Sequence, residues 1–494
     1  MLGDKNNILD HTPVAIKIPI KKGRYISQDE NYSVEYEMDC TGKGVYIGLI
    51  TLEDIDYTDN QLLDKNKSSR VRCIWEQEEL EEGKYYLPGE KDIKIGDRCE
   101  LRTDYKILND TLWLILAGGG NQECKSMAKE SEFLISKIKS APHSIKNQYS
   151  LDENVELVCV SDILIGVKKL IEIARLNDKP IVIYIPYNYV LSSINGTNKY
   201  DKEFREISYM EGVTLVMPSG EEADKMHREN LKGDFPRHIN IKSKKNNQII
   251  TGKISSERGK LFDVSICPKE GIEERIYIGE AGEFKSNYGT IFTTGICWEK
   301  TGQLVIMFRI VQQRECEWDV IVEGDNSMEY GLGISLAEGS LSDQVTLSTS
   351  TVMNTMNIGI YKWGAIGVGS FDIQAFVTMR SSGRTSPKYV HRLDCVADGK
   401  LYLNKIGENG ASILEGTSLA ASKVVGAVAL LYEYYIQVAD IDYTSTQTPN
   451  THMMKRWLRG QLNNLPEQEY PNMSQGYGIL DIRRLSNFVN GSML

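Results

Sequence analysis

The stretch from Glu415 to Tyr435 restricts the possible folds more than any other. Gly416, Thr417 and Ser418 turn into Leu419-Ala420-Ala421 and then into Val424-Val425-Gly426-Ala427-Val428-Ala429-Leu430-Leu431. A run apolar on every side reads as a core helix, which needs a large domain to surround it. At 494 residues the chain is long enough for such a domain plus a second one or a substantial insertion. Ser418 stands where that helix begins. Unpaired backbone N–H groups and the helix dipole favour negative charge there, which suits a nucleophile. The same Gly-Thr-Ser is also an ordinary N-cap, and the stretch by itself leaves both readings open.

The segments before it alternate in type. After the Gly-rich turn Thr41-Gly42-Lys43-Gly44, Val45 to Ile50 reads as a buried parallel strand with Thr51 at its C-terminal end, where open α/β sheets carry their chemistry. Asp110 to Ala117, closed by Gly118-Gly119-Gly120, reads as a buried helix, and Glu132 to Ile138 as a strand. Ser161-Asp162 should cap an amphipathic helix carrying Ile163, Val167, Leu170, Ile171 and Ala174. Strands Ile181 to Ile185 and Gly212 to Met217 follow, with Phe204 to Met210 helical between them. This is the pattern of a doubly wound parallel sheet.

From about His238 to Leu336 the apolar period changes to two, as in Ile239-Asn-Ile-Lys and Leu304-Val-Ile-Met-Phe-Arg-Ile. Short strands between polar turns indicate an all-β sandwich or jelly roll inserted into the α/β domain. The expected organisation is an N-terminal arm over 1–40, an α/β domain over 41–230 and 340–494, and the insertion over 231–339. Within the arm, Val14-Ala-Ile-Lys-Ile-Pro-Ile20 alternates, and Pro19 should confine it to an edge strand or an extended arm.

Composition removes several function classes. A net charge of -11 with no basic stripe argues against a nucleic-acid partner. The apolar run at 424–431 is far shorter than the ~20 residues a bilayer requires, so no membrane span is expected. The first residues lack the apolar region of a signal peptide. Nine scattered cysteines with no CxxC pair suggest free thiols and synthesis in a reducing compartment.

Gly416-Thr-Ser-Leu-Ala-Ala421 resembles the nucleophile motif of the subtilisin-like serine proteases (peptidase S8), usually GTSMAAP. The supporting landmarks lie in the family's order. Thr41-Gly-Lys-Gly-Val-Tyr-Ile-Gly-Leu-Ile50 resembles TGKGVxVGIID, and Met127 to Lys137 resembles VAPEAELIxVK. Ser381-Ser-Gly-Arg384 is similar to the FSxRGP turn, and Gly476-Tyr-Gly-Ile-Leu-Asp-Ile482 to GYGxLDV. The β insertion, Ile55-Asp56-Tyr57-Thr58 and Ile74-Trp75-Glu76-Gln77 are similar to the Csp branch of clostridial spores. The fold implied is a subtilisin-like α/β sheet carrying a jelly-roll insertion.

Carried onto this chain, the family's triad is incomplete. Thr51 stands at the aspartate position, Asn109 at the histidine, and Glu221 at the oxyanion asparagine; Ser418 alone is retained. Glu53 and Asp54 lie just beyond Thr51, and Asp110 is expected on another face of its helix. An amide cannot take a proton from a serine hydroxyl at neutral pH. Removing the oxyanion donor costs about 2.7–4 kcal/mol in subtilisin itself, and losing the serine or the histidine there costs roughly 2 × 10⁶ in kcat. A Ser418–Lys423 dyad fails on helical geometry. Ser422 replaces the motif's proline, and Pro186-Tyr187-Asn188 replaces the segment that pairs with a substrate backbone. The histidines are expected on surfaces and loops.

The resemblance therefore implies a pseudoprotease that regulates or scaffolds spore germination by binding. Its implied partners are other Csp proteins (an active protease and a second pseudoprotease), and through them the cortex hydrolase precursor. Small-molecule germinants are a further class the family permits, and the implied location is the spore. The former cleft around Asn109, Glu221 and Ser418 is the expected partner groove. No cofactor is expected, and calcium ligands in this fold come from dispersed loop oxygens that sequence does not identify. The rival reading is an active endopeptidase with Ser418 as nucleophile.

Overall fold

The computed structural model describes residues 13–491 apart from 19–20, 23–37, 80, 88, 91–104, 120–125, 150–155, 190–199, 225–226, 232–234, 244–245, 247, 257–261, 270–274, 299–303, 325–331, 337–344, 349–354, 358, 361–362, 386, 404–411 and 440–447. The arm contributes β1 (Val14–Lys17). The α/β part then runs β2 (Tyr46–Thr51), β3 (Val71–Glu79), β4 (Glu82–Tyr86), α1 (Tyr105–Gly118), β5 (Glu132–Lys137), β6 (Leu157–Cys159), α2 (Val160–Leu176), β7 (Ile181–Tyr184), β8 (Tyr187–Tyr189), α3 (Asp201–Ser208) and β9 (Val213–Pro218). It resumes with β10 (Ile366–Asp372), β11 (Cys395–Asp398), α4 (Thr417–Ala439), α5 (Thr451–Gly460) and α6 (Ile482–Val489).

One large sheet carries the chemistry-bearing ends. Its central order is β11-β10-β9-β7-β2-β5-β3-β4, parallel throughout except for the antiparallel edge pair β3–β4. Strands buried on both faces need apolar residues at every position, and β2, β7 and β9 are wholly buried. The faces alternate. Ile47, Leu49, Val182 and Val216 pack against α1 and α4, while Tyr46, Ile50, Ile181 and Leu215 pack against α2 and α3. Helices thus cover both faces of a mixed α/β structure, as the strand–helix alternation implies.

Helix α4 is the core of the first layer. Its residues from Leu419 to Ala421 and from Val424 to Tyr432 are buried, as is Ser418. By length and apolarity alone this helix could cross a membrane, contrary to the expectation from its shorter apolar run, but most of it is sealed inside protein. Two local features fix it. Gly426 lets α1 approach so closely that a Cβ there would lie 2.3 Å from the Ala117 carbonyl oxygen. Glu433 reaches the Thr41-Gly42-Lys43 turn, where one carboxylate oxygen accepts from three consecutive backbone N–H groups at 2.6, 2.6 and 3.2 Å. Burial holds the Glu433 carboxyl above its ordinary range, against the pull of those donors. Gly42 makes this concave turn at φ +81, where any side chain would collide with Ser131.

Several expectations change in detail. Helix α2 starts at Val160 with Cys159 as its N-cap and no side-chain cap bond, so Ser161 and Asp162 lie in its first turn. The arm is no edge strand: β1 is the middle of the three-stranded sheet β6-β1-β8. It ends at Lys17, two residues before Pro19. Cys40, Cys73, Cys159, Cys267, Cys297, Cys316 and Cys395 carry free thiols.

Between β9 and β10 the chain forms two antiparallel sheets with strands from Arg228 to Ser348, reaching past both ends of the 231–339 span. Ile239, Ile241, Val264 and Val320 of one sheet and Ile250, Ile254, Ile306 and Phe308 of the other share a single apolar core. This is the period-two region of the sequence.

The close α1–α4 approach yields a prediction whose sign opposes helix propensity. Gly426→Ala would gain about 0.8–1.0 kcal/mol on an exposed helix. Here overpacking should cost about 1–3 kcal/mol, seen as a lower urea midpoint at an unchanged slope.

Candidate functional site

Thr51 ends β2 and shares the alternate face carrying Ile47 and Leu49, which packs against α1 and α4. Asp110 stands on α1 opposite it. The Thr51 hydroxyl donates to Asp110 Oδ2, and both residues are fully buried. Asp110 therefore does not point to another face; it meets the aspartate position directly. The Asn109 backbone lies in α1 and its side chain is outside the described residues.

A buried carboxylate in an apolar helix needs a cation, and the arm supplies one. In β1, Ala15 and Lys17 face the core while Val14 and Ile16 face the opposite side. Lys17 Nζ lies 2.7 Å from Asp110, 2.9 Å from Glu53 and 2.9 Å from Glu156, and 5.3 Å from the centre of the Trp113 ring. Burial pulls the Lys17 ammonium down, but the three carboxylates outweigh it and its net shift is upward. Burial raises the Asp110 carboxyl against the pull of Lys17. Glu53 is pushed up to about 8, first by burial and then by Asp110, with Lys17 opposing.

The arm also fills the strand slot. Val14, Ala15 and Ile16 pair with Cys159, Val158 and Leu157 on one side, and Ala15, Ile16 and Lys17 with Tyr189, Asn188 and Tyr187 on the other. Ile18 N–H continues the second ladder to the Pro186 carbonyl at 2.9 Å. The Pro186-Tyr187-Asn188 edge is thus already paired with the chain itself. Val14 and Ile16 are covered in turn by Ala141, Ile145 and Met307, the last from the two-sheet region.

The second half of the site lies at the N-terminus of α4. Helix α4 begins at Thr417, and Glu221, in the loop after β9, accepts from its backbone N–H and from the Ser381 hydroxyl at 2.5 Å. An anion on a helix N-terminus is favourable, so Glu221 stabilises the helix whose start it blocks. Ser418 is fully buried, and among the described residues its Oγ has no hydrogen-bond partner. It is not the N-cap that the sequence allowed; Glu221 takes that role from outside the helix. The Ser418 carbonyl accepts from the Tyr184 hydroxyl and the Ser422 hydroxyl, each at 2.9 Å.

Trp113 and Tyr184 join the two halves, their rings edge to face at 5.5 Å. Lys423, the other conceivable base, is committed to Asp398 at 2.7 Å and to the Lys400 carbonyl at 3.1 Å. The expected partner groove around Asn109, Glu221 and Ser418 is closed at the serine. Nor do all histidines lie on the surface, because His227 is buried against Glu222. The structure thus brings Thr51 to Asp110 and Glu221 to the Ser418 helix. It adds Lys17 and Glu156, which the motifs did not single out, and draws in Glu53 and Ser381. Two signals were available: a lysine on the inward face of an apolar strand, and an aspartate inside an apolar helix.

Chemically, no described group accepts a proton from Ser418, and the Thr417 N–H at the start of α4 is taken by Glu221. Among the described residues no cluster of His, Cys, Asp and Glu could hold a metal ion.

No protein-family model and no curated protein matches the chain. The structure is similar to that of the Clostridium perfringens CspB protease at a TM-score of 0.75 and 21% identity, covering 92% of this chain and 95% of that one. The prenylagaramide maturation protease PagA follows at a TM-score of 0.40 and 12% identity, covering 91% and 94%. The chain has the subtilisin-like fold.

The Glu53 carboxyl sets a pH dependence. Folded, it keeps a proton up to about 8 that the unfolded chain releases near its ordinary 4.5. Its contribution to stability is complete below 4.5 and lost as pH rises through about 8. The thermal midpoint should fall between about pH 4.5 and 8 and level off above that, and Glu53→Gln should flatten that decline. An equal decline in the variant would remove Glu53 as its source.

Proposed function

We propose that the protein is a subtilisin-like pseudoprotease that acts by binding, as a regulator or scaffold of spore germination signalling. One observation carries this reading: the Glu221 carboxylate occupies the N-terminus of α4 while Ser418 lies sealed and unpartnered behind it. An ionised carboxylate there would repel a developing oxyanion by about 4 kcal/mol at 4 Å and an effective dielectric near 20. The arm paired along Tyr187–Tyr189 supports the same reading, since a substrate strand would have to displace it.

On this reading the chain divides into an arm, a two-part α/β domain and an inserted β-sandwich of jelly-roll type whose strands run from Arg228 to Ser348. The partners are other Csp proteins, an active protease and a second pseudoprotease, with the cortex hydrolase precursor downstream. Small-molecule germinants are a further ligand class, and the place of action is the spore. The sequence landmarks and the likeness to the CspB protease support this assignment. Since the old cleft is occupied, partner contacts lie on other surfaces.

A fluorophosphonate probe tests the catalytic half. The purified protein should remain unlabelled under conditions that label an active subtilisin. Stoichiometric labelling lost in Ser418→Ala would establish the endopeptidase reading instead. Affinity capture from spore extract should return a Csp-type protein equally with wild type and Ser418→Ala.

A further inference from the structure

The two-sheet region leaves the α/β part through the segment after β9 and returns before β10, so two chain crossings form its neck. One side chain ties the first crossing to the region's last strand. His227 immediately precedes the first strand of the region, Arg228–Leu231, and is 1% exposed. Its Nδ1 lies 2.6 Å from Glu222 Oε2, on the α/β side of the neck. Its Nε2 lies 3.2 Å from the carbonyl oxygen of Val345, which opens the region's last strand, Val345–Ser348. The loop after β9, the exit crossing and the region's last strand thus meet at one imidazole.

Both partners are acceptors when Glu222 is ionised. A neutral imidazole has one N–H, so it can satisfy one of them and must turn a lone pair towards the other. Both bonds form only if the pair holds an additional proton, as imidazolium with carboxylate or as imidazole with carboxylic acid. The proton count is the same either way. We infer that the His227–Glu222 pair is a proton-dependent clasp that closes the neck of the two-sheet region on the α/β core.

Among the described residues, two carboxylates and one uncharged chain lie near the pair. On the chain's own segment, Glu221 is held by Thr417 N–H and Ser381, and Asp224 is exposed to solvent. Across the neighbouring strand, Ser243 stands opposite Val345, and its hydrogen-bonded chain through Gln248, Gln312 and Trp318 is uncharged. From the return strand the ring meets a backbone carbonyl. The clasp also bears on the occupied slot, because Met307 of the same region covers Val14 and Ile16 of the arm. Opening the neck would uncover the arm from its outer side.

Opening releases a proton wherever the free histidine, with an ordinary pKa of about 6.5, is neutral. The opening constant should then rise by up to tenfold per pH unit from about pH 6.5 until the closed pair itself titrates. Hydrogen–deuterium exchange on the full chain, corrected for intrinsic exchange, reads this as protection at 221–231 and 345–348 between pH 6 and 9. Protection should fall with pH in the wild type. Glu222→Gln keeps both bonds with a neutral imidazole, since the amide N–H donates to Nδ1 and Nε2–H to Val345. That variant should stay protected with a flat profile, whereas His227→Ala should be exposed at every pH. A flat wild-type profile, or an unchanged slope in Glu222→Gln, would overturn the clasp.

Discussion

Helix α4 has almost no residue that water could solvate between Ser418 and Tyr432, and the rest of the α/β part follows from hiding it. Sheet strands β2, β7, β9 and β10 form its floor and α1 its flank. Thr417 N–H is met by Glu221, Lys423 by Asp398 and Glu433 by the Thr41–Lys43 turn, while the buried Thr417 and Ser418 hydroxyls have no partner among the described residues. The Gly-Thr-Ser and Thr-Gly-Lys-Gly motifs, far apart in sequence, are therefore two ends of one buried helix. Their retention needs no catalysis to explain it. Each is held by a carboxylate that would otherwise be left buried without donors.

The C-terminal end of β2 is not left empty. Thr51, Asp110 and Lys17 form a buried polar cluster of their own, and Trp113 and Tyr184 pack between it and the helix start. One ammonium faces three carboxylates there, so the cluster keeps excess negative charge and takes up protons in compensation. A general base must be free to accept a proton from the nucleophile, and here the three carboxylates are turned to Lys17 instead.

The sheet, its helices and the change to period two were legible from apolar periodicity, because burial on one or both faces constrains every residue of an element. Ser418, Thr51 and Glu221 were legible as positions, since the motifs that carry them also build the fold. What they do was not. The Ser418 hydroxyl was open to the reading of an N-cap, and only the third dimension shows Glu221 taking that bond from a loop almost two hundred residues earlier. The placement of Asp110 depended on helix rotation to within one residue, which a degenerate motif does not supply. Lys17 lies outside every motif, and its partners come from three separate segments.

The arm strand carries a consequence for the order in which the molecule assembles. Strand β1 sits between two strands that reach it only through later parts of the chain, with Ala15 paired to both Val158 and Tyr189. Neither ladder can form until that later sequence has been made and positioned, and closing loops of this length is slow. The first strand of the chain is thus among the last to find its place. Until then its apolar residues and the unpaired edges of β6 and β8 are open to any extended segment nearby. A vectorially synthesised copy passes through an interval in which that slot is vacant, so folding time, rather than equilibrium affinity, limits what could compete for it.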